Sequence, residues 1–83
     1  MVSVTISKIN TQLAIFPNPT TGYINLQNLN DISTITIFDM MGKVVLQTPT
    51  NDNLQMDLNL SAQPAGVYIL KTDTGETQKI VKQ

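Results

Sequence analysis

The segment STITIFDMMGKVVLQ, residues 33–47, decides the fold class, because it holds two β-rich runs joined by a short turn. β-Branched and apolar residues occupy both runs, which favours strands over helices. Between them, Asp39 is placed to cap its own turn, and Gly42 is placed to adopt the positive φ of a type I turn with a G1 bulge. The segment therefore predicts a tight antiparallel hairpin.

The same pattern of short strands and turns recurs along the whole chain. Apolar and polar residues alternate with a period of two, most clearly in LQMDLNL, residues 54–60. The sequence TDTGE, residues 72–76, repeats the turn with Asp73 and Gly75. Strands are predicted at residues 2–7, 12–16, 23–27, 33–38, 43–47, 54–60, 66–72 and 77–82. Seven to eight short strands without βαβ alternation predict an all-β protein, a small antiparallel Ig-like β-sandwich.

The core of this sandwich is expected to come from the inward faces of its strands. In strands that are apolar on both sides, alternation alone does not determine which face points inward. The aromatic residues Phe16, Tyr23, Phe38 and Tyr68 are expected mostly in the core or at its edge. The inward set is predicted to include Ile35, Ile37, Val44, Leu46, Val67 and Ile69.

The segment FPNPTTGY, residues 16–23, predicts a rigid corner. Pro17 and Pro19 fix φ and lack a backbone donor, and Asn18 is biased toward extended geometry because it precedes a proline. Gly22 is expected to take positive φ before the next strand. Gly66, in contrast, is expected simply to begin a strand, in a conformation open to other residues.

Composition excludes several classes of function. The 83 residues carry a net charge of −1, and the five basic residues are scattered lysines, so a nucleic-acid interface is not expected. No window is apolar enough to span a bilayer, and residues 1–10 lack a signal-peptide pattern.

The residues that usually carry catalysis are missing. Without His or Cys, the serines lack an evident activating partner, and the carboxylates fall on turns and outer faces. The chain is therefore expected to be neither an enzyme nor a cofactor-binding protein. Oxygen ligands for calcium occur at residues 28–31 and 50–53, but Asn and Asp are also the commonest turn residues, which favours a structural role.

Four motifs occur in order: FPNPTTG at 16–22, IFDMMGKVV at 37–45, PAGVYILK at 64–71 and TQKIVKQ at 77–83. Together they resemble the type A C-terminal sorting domain of the type IX secretion system of Bacteroidetes. The resemblance runs from about Leu13 to Gln83, and Phe16 stands where Tyr is often seen. The family's motif positions fall on Pro17, Asn18, Pro19, Gly22, Asp39, Gly42, Lys43, Gly66, Tyr68 and Lys79, and Lys82 is added because no structural demand explains it.

This resemblance implies a non-catalytic secretion signal at the end of a larger protein. Such domains are recognised in the periplasm by the outer-membrane translocation machinery and are removed at the cell surface by a sortase-like protease. Residues 1–83 would then form one sorting domain, and residues 1–10 the end of a linker to an upstream cargo domain. An Ig-like adhesive or spacer module of a surface protein is the alternative.

Two features are candidates for what the machinery recognises. The final segment, residues 77–83, is expected to form an edge strand with one side free, which a partner strand can extend. The proline-containing corner either only shapes the chain or is also part of the recognised surface, and the sequence leaves both open.

Overall fold

A computed structural model describes residues 13–83, which form seven β-strands and confirm the all-β prediction. The predicted segments 23–27, 66–72 and 77–82 coincide with observed strands, and the other bounds differ by one or two residues. The strand predicted at residues 2–7 lies outside the described residues. The strands are β1 (Ala14–Phe16), β2 (Tyr23–Gln27), β3 (Thr34–Phe38), β4 (Val44–Pro49), β5 (Gln55–Asn59), β6 (Gly66–Thr72) and β7 (Thr77–Lys82).

The strands form two antiparallel sheets, which confirms the sandwich architecture. One sheet has three strands in the order β1-β2-β5, and the other has four in the order β4-β3-β6-β7. Apolar side chains from both sheets meet in a single core. Its fully buried members are Ile24, Leu26, Leu29, Ile35, Ile37, Leu60, Leu70 and Ile80.

The predicted inward face is right for β3 but wrong for part of β4. Ile35 and Ile37 are fully buried, as expected. A bulge shifts the β3–β4 register, so that Leu46 faces Ile37 and packs against the core, whereas Val44 faces Phe38 and is 47% exposed. Because the bulge inserts one extra residue into β4, strict alternation fails there and Val44 turns outward.

The predicted inward face of β6 is wrong. Tyr68 and Leu70 are buried in the core, whereas Val67 and Ile69 are half-buried on the opposite side of the sheet. The Tyr68 hydroxyl donates a hydrogen bond to the Pro64 carbonyl oxygen (2.5 Å), an arrangement typical of the tyrosine corner of β-sandwiches. Since VYIL is apolar at every position, only packing against the other sheet selects the inward pair.

The hairpin turn predicted at Asp39 and Gly42 is confirmed. Gly42 has φ 87° and donates its N–H to the Asp39 carbonyl oxygen. The Asp39 carboxylate accepts hydrogen bonds from the N–H groups of Met41 and Lys43, both at 2.9 Å. The left-handed glycine and the capping carboxylate together close the turn.

The second hairpin turn uses Gly75 as predicted, but Thr72 rather than Asp73 caps it. The Thr72 hydroxyl accepts a hydrogen bond from the Glu76 N–H, and Gly75 has φ 97°. Asp73 instead accepts hydrogen bonds from the N–H groups of Ser33 (2.9 Å) and Thr34 (3.2 Å), which lower the pKa of its carboxyl group. Asp73 therefore ties the β6–β7 turn to the start of β3.

The aromatic residues are more exposed than expected. Tyr68 is the buried one of the four, while Phe16 is 44% and Tyr23 64% exposed on the outer side of the three-stranded sheet. The two loops considered for calcium contain four residues with left-handed backbone, Asn28, Asp31, Asn51 and Asp52. These polar residues supply turn geometry that β-branched residues avoid.

Candidate functional site

The proline corner, residues 16–22, lies against the outer edge of β7 and not merely between β1 and β2. The Asn18 side-chain amide donates a hydrogen bond to the Lys79 carbonyl oxygen (2.7 Å). Its oxygen accepts one from the Val81 N–H (3.0 Å). One amide side chain thus takes the place of a neighbouring strand, since it satisfies both an acceptor and a donor of β7.

Thr20 continues this contact with its main chain. Its N–H donates to the Val81 carbonyl oxygen (2.9 Å), and its carbonyl oxygen accepts from the Gln83 N–H (2.8 Å), forming a parallel bridge opposite Lys82. The Thr20 side chain is buried, accepts a hydrogen bond from the Gly22 N–H and donates one to the Tyr23 carbonyl oxygen. Thr20 therefore joins the corner both to the end of β7 and to the start of β2.

The expectation of a free edge on the final strand is wrong for residues 79–83. Four main-chain groups of Lys79, Val81 and Gln83 that point away from β6 bond to Asn18 and Thr20. A paired edge offers no hydrogen-bonding template to a second chain along this stretch. Extension of β7 by a partner strand there would first require displacement of the corner.

Gly22 is needed for a close approach rather than for positive φ, which it does not adopt. Its carbonyl oxygen accepts a hydrogen bond from the Leu60 N–H (2.7 Å). A Cβ atom at Gly22 would lie 3.2 Å from the Cβ atom of Ser61, tighter than most real contacts. The missing side chain lets the corner pack against the residues that follow β5.

Gly66 begins β6 as predicted, but its backbone conformation is not the open one that was expected. It pairs with Lys82 across β6 and β7, and its φ is 157°, at the limit of the range that favours glycine. A Cβ atom at Gly66 would meet no heavy atom within 4 Å, so the demand is conformational and not steric. Gly66 therefore lies next to the β7 edge that the corner covers, opposite Lys82.

The corner and the end of β7 form one continuous surface from motifs some sixty residues apart. Pro17, Asn18, Pro19 and Lys79 are exposed on it, and Lys82 is half-buried beside Gly66. The peptide bonds that precede both prolines are cis. We call residues 17–20 together with residues 79–83 the corner–strand surface.

The structure does not bring the remaining motif residues into this surface. Asp39, Gly42 and Lys43 form the β3–β4 turn, on the opposite edge of the four-stranded sheet from β7. Tyr68 lies in the core. These four positions maintain turns and packing, as Asp39 and Gly42 were mainly expected to do.

Sequence reasoning missed Thr20 as the main-chain partner of β7, and it missed the outward side of β6. No local signal identifies Thr20, because its partners are Val81 and Gln83. The outward side of β6 could have been inferred from the apolar run Val67–Leu70. Apolar and polar residues usually alternate in an antiparallel strand with one face in solvent, so an unbroken apolar run indicates apolar residues on both faces.

Residues 13–83 contain no group of three acidic side chains placed to share a metal ion. The same residues form no helix long and apolar enough to cross a membrane.

Comparison with known proteins identifies the family. No curated protein matches the chain at a significant level. A sequence model described as the secretion system C-terminal sorting domain matches residues 14–83, which include every strand and the whole corner–strand surface. The chain therefore belongs to the family of C-terminal sorting domains, the signals of type IX secretion that direct export to the cell surface or the extracellular space.

Proposed function

We propose that residues 1–83 form a single sorting domain that carries a larger cargo protein through the type IX machinery and has no catalytic activity of its own. The cargo crosses the periplasm, and the domain is recognised at the outer membrane and then removed by a sortase-like protease. The observation that carries this proposal is the family match across residues 14–83.

The recognised element is a folded surface and not a linear peptide. Residues 79–82 pair with β6 on one side, and the corner holds residues 79–83 on the other, so this segment keeps one shape only while the sandwich is intact. Exposed Pro17, Pro19 and Lys79 display this shape to a partner. Lys82 is the second candidate contact, although it is half-buried.

The experiment fuses this domain to the C-terminus of a secreted reporter in a cell with type IX machinery. We expect reporter at the cell surface with the domain, and none without it or in a strain that lacks the translocon. Mass spectrometry of the exported reporter tests removal of the domain. Equal surface reporter with and without the domain would contradict the proposal.

The corner–strand surface is tested by Lys79→Glu, which reverses one exposed charge. We expect export to fall while circular dichroism stays unchanged. The control is Gln55→Glu with Asn59→Asp on the other sheet, which changes net charge equally and keeps both side-chain acceptors. Normal export of a folded Lys79→Glu variant would remove Lys79 from the recognised surface.

A further inference from the structure

The outer faces of the two sheets differ in chemistry. On the three-stranded sheet, facing polar side chains bond to each other, as Asn25 does to Asp57 and Gln27 does to Gln55. On the four-stranded sheet, register places Val44, Phe38, Ile69 and Lys79 in one row across all four strands. Val67 and Val81 form the next row.

These outward residues form an apolar surface separate from the core. Phe38, Val67, Ile69 and Val81 remain partly accessible, and Val44 is 47% exposed. Met40 and Met41, 67% and 93% exposed, follow Phe38 in the β3–β4 turn. We call Phe38, Val44, Val67, Ile69 and Val81 the apolar face. A contiguous apolar patch of this kind on a small domain is typical of an interaction site.

On the strands themselves, the charged side chains beside the apolar face are two lysines. Lys71 and Lys79 are exposed on the same side of the sheet, opposite Thr77 and Ile69 respectively. Of the nearby carboxylates, that of Asp39 accepts from main-chain N–H groups of its own turn, and that of Asp73 accepts from the N–H groups of Ser33 and Thr34 at the start of β3. Within residues 13–83, neither Lys71 nor Lys79 forms an ion pair.

We propose that the apolar face docks onto a protein of the export machinery whose surface presents apolar side chains beside carboxylates. The inference rests on the proposed function and deepens it, because it extends the recognised surface from Lys79 and Val81 across the outer side of the four-stranded sheet and states the partner's chemistry. Apolar contact supplies the affinity, and Lys71 and Lys79 select the acidic partner and its orientation.

Two other possible partners of the apolar face are less compatible with the charges of Lys71 and Lys79. A second copy stacked face to face would bring lysines toward lysines, with no acidic residue on the strands of this face to compensate. An anionic membrane is usually bound by clusters of about four to eight basic residues, whereas this face has two and the chain is net acidic. Charge complementarity therefore favours an acidic protein surface.

The test measures reporter export with Val67→Thr plus Val81→Thr, which keeps β-branched side chains in the strands but makes the face polar. We expect export to fall about tenfold, as for loss of central contacts in an interface. Leu54→Gln is the control, because Leu54 is a 62% exposed apolar residue away from this face. All variants must keep the circular dichroism spectrum and melting temperature of the parent.

Lys71→Glu tests the charge, with Gln55→Glu plus Asn59→Asp as the control of equal net charge. We expect reduced export for Lys71→Glu alone. If the parent fusion is exported and the apolar-face and Lys71 variants are exported equally well, this inference fails while the proposed function stands. If the parent fusion is not exported at all, the proposed function fails.

Binding experiments on the purified chain separate the occupants. Sedimentation equilibrium that shows a dimer abolished by Val67→Thr plus Val81→Thr would overturn the proposal in favour of self-association. Flotation with phosphatidylglycerol vesicles, lost on Lys71→Glu, would overturn it in favour of a membrane. Nuclear Overhauser contacts between residues 1–12 and the Phe38 ring would show that the chain covers its own face. A monomer without these contacts that does not float is the expected result.

Discussion

The two edge strands of the four-stranded sheet, β7 and β4, are protected from pairing with another chain in different ways. At β7, Asn18 and Thr20 occupy the outward main-chain groups of residues 79–83. At β4, no corner covers the edge among the described residues; a bulge lies at one end and Pro49 at the other. The Thr50 N–H donates to the Ser33 carbonyl oxygen, on the side of β3. Because the direction of the N–H groups alternates along a strand, the Pro49 nitrogen faces the free side of β4, and proline has no N–H to donate there.

The β4 edge is only protected from pairing, whereas the β7 edge is also covered by another segment of the chain. A bulge and a proline only discourage pairing with another chain. A covering segment does this too, but it also holds the end of the last strand in one shape and places exposed side chains beside it. The closed edge is therefore the one suited to display a signal, and the variants below test each edge in turn.

The largest effect is expected at the open edge, where Gly42→Val should lower the free energy of unfolding by about 1–3 kcal/mol. A β-branched residue is strained at φ 87°, although a Cβ atom there would meet nothing within 4 Å. Chemical denaturation measures the change. Gly42→Asn should cost less, because Asn tolerates left-handed backbone. Equal costs for Val and Asn would show that the backbone conformation is not responsible.

At the closed edge, Asn18→Ala should cost about 1–2 kcal/mol, because two hydrogen bonds to β7 are lost. Hydrogen exchange should accelerate at the Val81 amide, which loses its acceptor. Gln47→Ala on β4 is the matched control, since it removes one side-chain hydrogen bond to Thr36 on a surface and should cost below about 0.5 kcal/mol. Similar costs at both edges would remove the contrast between them.

Gly22→Ala should cost about 1 kcal/mol, because the new methyl group crowds Ser61 and the corner must shift. The double variant Gly22→Ala, Ser61→Gly removes the nearer contact and should recover part of this loss. A double-mutant cycle from denaturation curves gives the coupling between the two sites. Strict additivity of the two single changes would contradict the close approach.

The smallest effect is expected from Asp73, which ties the β6–β7 turn to β3 on the solvent-exposed surface. Its pKa is lowered in the fold by the N–H groups of Ser33 and Thr34, so ionised Asp73 stabilises the folded state. This contribution is complete above the ordinary pKa, 3.8, and is lost as pH falls through the lower folded value. Asp73→Asn should therefore flatten part of the acid dependence of unfolding, and an unaltered dependence would contradict this role.

The strands and the β3–β4 turn were predictable because their causes are local. Gly42 takes a conformation that its neighbours in sequence demand, and Asp39 caps a turn only two to four residues away. Period-two alternation placed Ile35 and Ile37 correctly on the inward face. It failed at Val44, where a bulge breaks the period, and at Val67 and Ile69, where every residue is apolar.

The candidate site was predictable as a set of motifs but not as a surface. Pro17, Asn18, Pro19 and Lys79 were selected from the resemblance, whereas the contact between them forms only in the folded chain. Asn18 and its β7 partners are 61 and 63 residues apart. No propensity or spacing encodes a hydrogen bond over that distance.

By itself, the sequence determined the fold class, the positions of the strands and turns, and the family resemblance, because these follow from backbone preferences and short-range patterns. Only the tertiary structure shows that Asn18 pairs with the edge of β7 and that Asp73 bonds to the start of β3. It also shows that Gly22 must lack a side chain because Ser61 lies close to it. It also decided which apolar residues of β6 face outward. Each of these depends on how the two sheets stack, and stacking is set by the packing of the whole core rather than by any one segment.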